Sequence, residues 1–324
     1  MKKAYLIAIL ILIGTLSECR EKDSLMVMFW NLENFFDYTD SGTGDSDREF
    51  SSMGIRHWTR KRFYRKCDLV AKTILWIADS EGKLPDVIGL AEIENRGVLR
   101  KMLEYSVLRK FDYEIIHYDS QDRRGIDVAL LYRKSVFTPV SVSRKIPVNE
   151  GDTLATRDIL HAYMEYGKGQ KVNMIVNHHP SKYGGSEESE GKREVAMKTL
   201  KFLCDSLESG NGAPVIAMGD FNDNPDASTF SVIEGTLSNK GRHLHEKGEG
   251  TIRYEGKWDL IDMFLVSQAV ENCTEMEICR VPFLMTWEKK HPGYKPFRTY
   301  SGPKYIGGAS DHCPIILWYF EGNS

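Results

Sequence analysis

The chain has no Cys-x-x-Cys pair, and its six cysteines show no metal-type spacing with its histidines. That excludes the usual structural zinc frameworks. It has no long block of one charge sign. The 324 residues sum to −3 with histidine neutral, so a whole-molecule positive field for nucleic acid is excluded, though a local basic patch is not. Its one long apolar run, residues 4–13, is too short for a comfortable membrane span. Internal repeats, low-complexity tracts and linker-like stretches are also missing, which excludes solenoids and disordered arrays. What is there is a chain 41% apolar, long enough to bury a sizeable core. We read residues 25–320 as one domain.

The N-terminus has the grammar of export. Lys2 and Lys3 precede the apolar run, and Gly14, Thr15, Leu16 and Ser17 follow it, so residues 1–19 read as a secretory signal. Leu16-Ser17-Glu18-Cys19 also resembles a bacterial lipoprotein box, with Glu18 standing where a small residue is usual. The charged residues 20–23 resemble the spacer after a lipidated cysteine. The expectation is a surface or periplasmic lipoprotein, with plain secretion as the alternative. A lipid on Cys19 would be the only membrane attachment. Of the other cysteines, Cys273 and Cys279 can pair in an oxidising compartment; otherwise these residues serve as small buried apolar groups.

Short apolar runs predict strands at 25–30, 86–91, 113–117, 127–132, 159–166, 171–177, 214–218, 260–266 and 314–320. Helices are predicted at 58–78, 98–108 and 190–207. In the first, Leu69, Thr73, Ile74 and Ile77 keep helical spacing, with arginines and lysines on other faces. In the last, Ala196, Leu200, Leu203 and Leu207 form one stripe. Residues 282–308, rich in proline, glycine, lysine and aromatics, read as a long functional loop. Strands in neighbouring order with occasional helices suggest an α+β or mixed α/β domain, its sheets stacked face to face and its helices outside.

Polar clusters stand at the ends of these runs: Trp30-Asn31-Leu32-Glu33, Glu92-Ile93-Glu94-Asn95, Asn177-His178-His179, Gly219-Asp220-Phe221-Asn222 and Ser310-Asp311-His312. Asp262 lies inside an apolar strand, where a charge is costly unless partnered. Glu33, Glu92, Asp311 and the Asn31 amide are hard oxygen donors that suit Mg²⁺ or Mn²⁺. His178 and His312 can offer positive charge or a donor to a phosphoryl group. Asp262 can orient His312, Asp220 can take a proton from water, and Asn222 can hold that water or a substrate oxygen. Arg124 is a candidate phosphate clamp or a solvated turn charge. Trp58, Arg60, Lys61 and Arg62 read either as a substrate-facing patch or as an exposed helix face with snorkelling side chains. Lys182 and Tyr183 are candidate cleft-lining residues.

Taken in order, these motifs resemble the endonuclease/exonuclease/phosphatase family, which includes deoxyribonuclease I-like enzymes, abasic-site endonucleases, sphingomyelinases and inositol-phosphate phosphatases. Each motif is weak alone; six in the right order, over about 290 residues, are specific. The resemblance implies a four-layer α/β/β/α sandwich of two mixed sheets with outer helices, and a site at one edge of the paired sheets. It implies that Asn31, Glu33, Glu92 and Asp311 belong to a Mg²⁺ or Mn²⁺ site. It implies that Asp220 and Asn222 activate water and hold phosphate, that His178 and His312 face the phosphate, and that Asp262 supports His312. Since side chains alternate along a strand, only one of His178 and His179 should face the site.

The resulting expectation is a metal-dependent phosphoesterase acting as a monomer, with a nuclease on nucleic acid as the leading reading. A phosphatase or phosphodiesterase for inositol phosphates or lipid headgroups is the enzyme alternative. A non-catalytic phosphate-binding protein is the alternative of another class.

Overall fold

A computed structural model of the chain describes residues 24–320 other than 41, 43, 150 and 183–185. The 1–19 signal segment and Tyr183 lie outside the described residues. No helix among those residues is long and apolar enough to cross a membrane.

Two six-stranded sheets dominate. We number only their strands. The first sheet holds β1 (Ser24–Phe35), β2 (Val87–Ile93), β3 (Tyr113–His117) and β4 (Asp127–Arg133). The second holds β5 (Phe137–Lys145), β6 (Ile159–Tyr166), β7 (Gln170–His178), β8 (Val215–Asp220), β9 (Leu237–Asn239) and β10 (Asp262–Ser267). The chain then returns to the first sheet with β11 (Thr274–Ile278) and β12 (Ile315–Phe320). The orders are β11-β12-β1-β2-β4-β3 and β9-β10-β8-β7-β6-β5. Both sheets are mixed: β1 and β2 run parallel, as do β7 and β8, and the other neighbours are antiparallel.

β1 is apolar almost throughout because both of its faces are covered. Leu25, Val27 and Phe29 join the core shared with the second sheet. Met26, Met28 and Trp30 join a separate core with α1 (Arg60–Glu81) and α2 (Arg96–Tyr105). α3 (Ser186–Gly210) adds Met197, Leu200 and Leu203 to the core of the second sheet. The layers are therefore helix, sheet, sheet, helix, the α+β sandwich expected. The sheets approach closely at Gly89, where an added Cβ would sit 2.5 Å from Met218 Sδ. Overpacking of this kind costs about 1–3 kcal/mol.

Several local expectations need correction. α1 begins at Arg60, capped by Thr59, so Trp58 lies outside it. Trp58 is buried and donates its indole N–H to Phe36 O at 2.8 Å. Arg62 lies over the Tyr305 ring and donates to the Arg56 and His57 carbonyls, while Arg60 and Lys61 are exposed. No Trp58-centred substrate face exists there. Residues 282–308 are not one loop: they fold into a turn, Pro282–Leu284, a hairpin of Met285–Glu288 with Gly293–Pro296, and a pair of Tyr300–Ser301 with Lys304–Tyr305. The edge strand β5 was not foreseen because it is mostly exposed and shows no apolar run. Cys273 and Cys279 are unpaired and partly exposed, whereas Cys67, Cys204 and Cys313 are buried.

Candidate active site

Strand alternation selects the site. On β1, Asn31 continues the inward face of Val27 and Phe29. On β8, Asp220 continues the face of Met218, which meets the first sheet at Gly89. In register, His178 on β7 and Asp262 on β10 are the Cα partners of Asp220 on its two sides. The far end of the inter-sheet core is thus polar, and Asn31 Nδ2 donates to Asp220 Oδ2 across the two sheets at 3.0 Å. The same alternation turns His179 away. Its ring lies edge-on to Phe221, 4.9 Å between centroids, and both its nitrogens are buried without partners.

Asp220 is the hub. Its Oδ2 is 3.7 Å from His178 Nε2 and 3.9 Å from His312 Nε2, and its Oδ1 accepts the Asn222 N–H at 2.9 Å. Behind His312, Nδ1 lies 2.8 Å from Asp262 Oδ2, which also accepts from the Thr251 hydroxyl. The lone acid of the apolar strand has found its partners. The backbone fixes His312 too: its N–H donates to Ser310 Oγ at 3.0 Å, and its carbonyl accepts the Trp30 indole N–H at 2.9 Å.

Burial sets the protonation states. Burial, then the Asp262 charge, pushes the Asp220 carboxyl up to about 7. Burial works against charge on His312, but Asp262, with Asp220 and Asp311, holds its pKa well above the usual histidine range. His178 goes the other way. Burial first, then the Arg157 and Arg124 charges, hold it well below that range, so it faces the site as a neutral imidazole. Of the two roles open to these histidines, positive charge or a donor, the charge belongs to His312 and the neutral donor to His178.

A second group of side chains stands beside this one, at the ends of β1 and β2. Glu92 Oε2 accepts the Asn34 N–H at 2.6 Å, and Glu92 Oε1 lies 3.5 Å from Arg124. Glu33 accepts from Arg298 Nε at 3.2 Å and from the Thr299 N–H at 2.6 Å; Arg298 also reaches Asp311 at 3.1 Å. Lys66, fully buried, donates to the Glu33 carbonyl at 2.6 Å. Burial, then the Asp311 charge, raises Glu33 to about 7. Glu33, Asn34, Glu92 and Asn222 all have positive φ, between 46° and 60°. Non-glycine residues rarely hold that conformation, and its clustering here is the signature of a functional site.

The donors fit a hard cation. Glu92 is a partly open carboxylate, and Glu33 and Asp311 both sense the same two cations, Lys66 and Arg298. Crowded acids with a raised carboxyl pKa mark a place where added positive charge is favourable. Among the described residues, however, Glu33, Glu92 and Asp311 do not form a tight ligand triad; the groups that do are Asp220–Asp262–His312 and His117–Asp119–Asp127. Few protein ligands and room for water match Mg²⁺ chemistry better than a closed cage. Both Glu33 oxygens are already engaged, so Glu33 shapes the acid cluster through Arg298 as the structure stands.

Sequence reasoning missed Arg298, Lys66, Thr251 and Arg157. Arg157 donates to the His179 carbonyl at 2.5 Å and pairs with Asp122 at 3.0 Å. Lys66 did leave a signal: it stands three residues after Phe63 and four before Val70, on the buried stripe of α1. A lysine there needs an acceptor. Arg124 pairs with Glu92, and Lys182 pairs with Asp223 at 3.1 Å.

Beside His312 and Asp311 opens a pocket of about 440 Å³. One wall is the strand Ile252–Tyr254 with Glu255, and another is the hairpin of Met285–Glu288 with Gly293–Pro296, which contributes Glu288, Lys290, Lys295 and Pro296. Arg253 and Lys295 line it, and both pair with Glu288.

The Endonuclease/Exonuclease/phosphatase family model matches residues 26–321. No curated protein sequence matches the chain. Among solved structures, an endonuclease/exonuclease/phosphatase family protein from Bacteroides thetaiotaomicron is similar at 15% identity and TM-score 0.62, covering 93% of this chain and 99% of that one. A mannosyl-6-phosphatase from the same organism is similar at 15% identity and TM-score 0.60, covering 91% and 100%. The human Nocturnin catalytic domain with bound sulfate anion is similar at 16% identity and TM-score 0.57, covering 93% and 97%.

Proposed function

The chain belongs to the endonuclease/exonuclease/phosphatase family, and from that premise we propose that it hydrolyses a small phosphate ester with Mg²⁺ or Mn²⁺ at Glu92. The family's enzymes are divalent-metal-dependent phosphoester hydrolases. One observation carries the chemical part: Asn31, His178, Asn222 and His312 all converge on the Asp220 carboxylate.

Asp220, with its pKa near neutral, takes a proton from the attacking water. The Asn31 amide keeps its carboxylate aimed at the cleft. Cationic His312, fixed by Asp262, and the neutral donors His178 and Asn222 stabilise the charge that gathers on the phosphoryl oxygens. Glu92, with Asp311 and Asn31, would hold the cation, which when bound would supply Lewis-acid polarisation of the phosphoryl oxygens.

The pocket supports a small substrate. At about 440 Å³ it has the size of a small-molecule site. Its lining mixes Arg253, Lys290, Lys295 and Arg298 with Glu255, Glu288 and Asp311; Glu288 pairs with Arg253 and Lys295, and Asp311 with Arg298. A groove for a nucleic-acid backbone needs unpaired cations along its length. A wall that carries acids among its cations suits the hydroxyl groups and the phosphate of a phosphorylated sugar or a mononucleotide. One structural neighbour is named for a sugar-phosphate substrate. Nuclease action is the second reading, favoured by the sequence resemblance and by a structural neighbour from D. rerio that is described in complex with a single-strand DNA product. A panel of sugar phosphates, mononucleotides, inositol phosphates, plasmid DNA and RNA, each with Mg²⁺, Mn²⁺ or chelator, tests the proposal. Release of phosphate from small esters, abolished by chelator, is expected. Cleavage of DNA or RNA with no turnover of small esters would replace it with the nuclease reading.

Export and lipidation of Cys19 remain our proposal for where the enzyme works. Palmitate labelling lost in Cys19→Ala would support the anchor, and labelling that persists would refute it.

A further inference from the structure

The wall of the pocket beside His312 holds an acid that a phosphate does not explain. Glu288 ends the strand Met285–Glu288, lines the pocket, and has a side chain 15% exposed. A phosphate ester arrives as an anion, and a carboxylate in its pocket repels it. Glu288 therefore answers to another part of the ligand.

Two cations hold this carboxylate. Lys295 donates to Oε1 at 2.6 Å and Arg253 to Oε2 at 3.4 Å. The Lys295 hydrogen bond keeps the Glu288 pKa below its ordinary value, so the group is ionised at neutral pH. Arg253 is fixed in turn, donating to the His291 carbonyl at 3.1 Å and the Pro292 carbonyl at 3.2 Å. Gly293 makes room for it, since a Cβ there would lie 2.7 Å from Arg253 Nη2. The clamp ties the hairpin of Ile252–Tyr254 with Lys257–Asp259 to the hairpin of Met285–Glu288 with Gly293–Pro296. Its carboxylate is thus set in place before any ligand enters.

An ionised carboxylate has about four lone-pair positions, and the two cations occupy only part of them. The pocket therefore offers acceptors on Glu288 beside donors on Arg253 and Lys295. A hydroxyl both donates and accepts, so a pair of neighbouring hydroxyls matches that edge; an ionised phosphate only accepts. Tyr254 adds an apolar face. It lines the same pocket and is 70% exposed. The two-residue turn Glu255-Gly256, with φ of 46° and 85°, sets its position. An exposed ring at the rim of a polar pocket can pack against the C–H face of a sugar.

We propose, resting on the reading that this pocket takes the alcohol part of a small phosphate ester, that Glu288 and Tyr254 select a sugar: Glu288 accepts from vicinal hydroxyls, and Tyr254 packs on the ring. Both act on the leaving alcohol and neither on the phosphoryl group, so they set specificity.

The test measures kcat/KM of the full chain with Mg²⁺ on two pairs of esters. A hexose 6-phosphate is compared with hexyl phosphate, and a 5′-ribonucleotide with its 2′-deoxy form. Wild type should prefer the member with the diol. In Glu288→Gln that preference should fall about tenfold, mainly through KM. Tyr254→Ala should lower kcat/KM for the diol-bearing ester about threefold, and Tyr254→Phe should restore it. Each preference is a ratio within one variant, so a general loss of active protein cancels. A preference lost in the hexose pair assigns a phosphorylated hexose, and one lost in the nucleotide pair assigns a ribonucleotide; either supports the diol. No preference in wild type, or the same preference in wild type and Glu288→Gln, would overturn the role of Glu288 and leave the small-ester reading standing. Tyr254→Phe as impaired as Tyr254→Ala would overturn the packing role. No phosphate released from any of these esters by wild type would overturn the small-ester reading itself, and this inference with it.

Discussion

The two sheets deliver unlike halves to one site. The second sheet brings Asp220, Asp262 and His178, with side chains at most 3% exposed and locked in register on three adjacent strands. The first sheet brings Glu33 and Glu92, whose partners are long and open: Arg298 is 47% exposed and Arg124 40%. The closed half is preorganised for proton handling, where a small displacement is expensive. The open half holds its acids with half-exposed cations that solvent can reach. His312 joins the halves, since it precedes β12 of the first sheet yet bonds to Asp262 of the second.

If the closed half performs the chemistry, its loss should be the most damaging. Asp220→Ala and His312→Ala are each expected to lower kcat by about 10³-fold with native circular dichroism and cooperative melting retained. Turnover within a few-fold of wild type in either variant would break the division of labour. The open half should fail differently. Glu92→Gln is expected to lower activity at limiting metal by about 10²-fold and to raise the metal concentration for half-maximal rate. An unchanged metal requirement would move the cation site elsewhere.

Asp262→Asn probes the link between the halves. Asp262 keeps the His312 pKa well above 6.5 in spite of burial, so removing its charge lets that pKa fall. If cationic His312 is the active form, the alkaline limb of kcat/KM should move to lower pH, with a loss of about tenfold near neutrality. The stability sign is fixed by the same shift. A raised folded-state pKa contributes stability that is present below about pH 6.5 and fades as pH rises through the folded value. The melting gap between wild type and Asp262→Asn should therefore be widest in mild acid and narrow toward alkaline pH. A gap independent of pH would show that Asp262 only packs.

The same contrast explains what could be read in the sequence. The closed half is built on strands, where an apolar run ending in a polar residue fixes both the element and the facing side; Asp220, Asp262 and His178 were legible for that reason. The open half depends on pairs remote in sequence. Glu33 and Arg298 are 265 residues apart, and no local pattern announces their meeting. The pocket hairpins were hidden because strands of three or four mixed residues carry no period. Lys66 was missed through a prior rather than a lack of signal: lysines on a helix were read as solvated, although this one sits on the apolar stripe.

His178 and His179 offer the finest test, because neighbours in sequence should differ sharply in effect. His179 points away from Asp220, its pKa pushed down to about 3 by burial and then by Arg157 and Arg193. It is neutral at any working pH, and neither ring nitrogen has a partner. Its contribution comes from the backbone: the His179 carbonyl accepts from Asn222 Nδ2 at 3.0 Å and from Arg157. A side-chain substitution leaves that carbonyl in place. Replacing an unpartnered buried polar ring with an apolar group removes a desolvation cost of about 1–3 kcal/mol, offset by imperfect filling of the space beside Phe221. His179→Leu should therefore change kcat less than about threefold and leave the melting temperature level or higher, whereas His178→Leu removes the imidazole that faces Asp220. A large kcat loss in His179→Leu with normal stability would mean that the strand register, and with it the assignment of His178, is wrong by one residue.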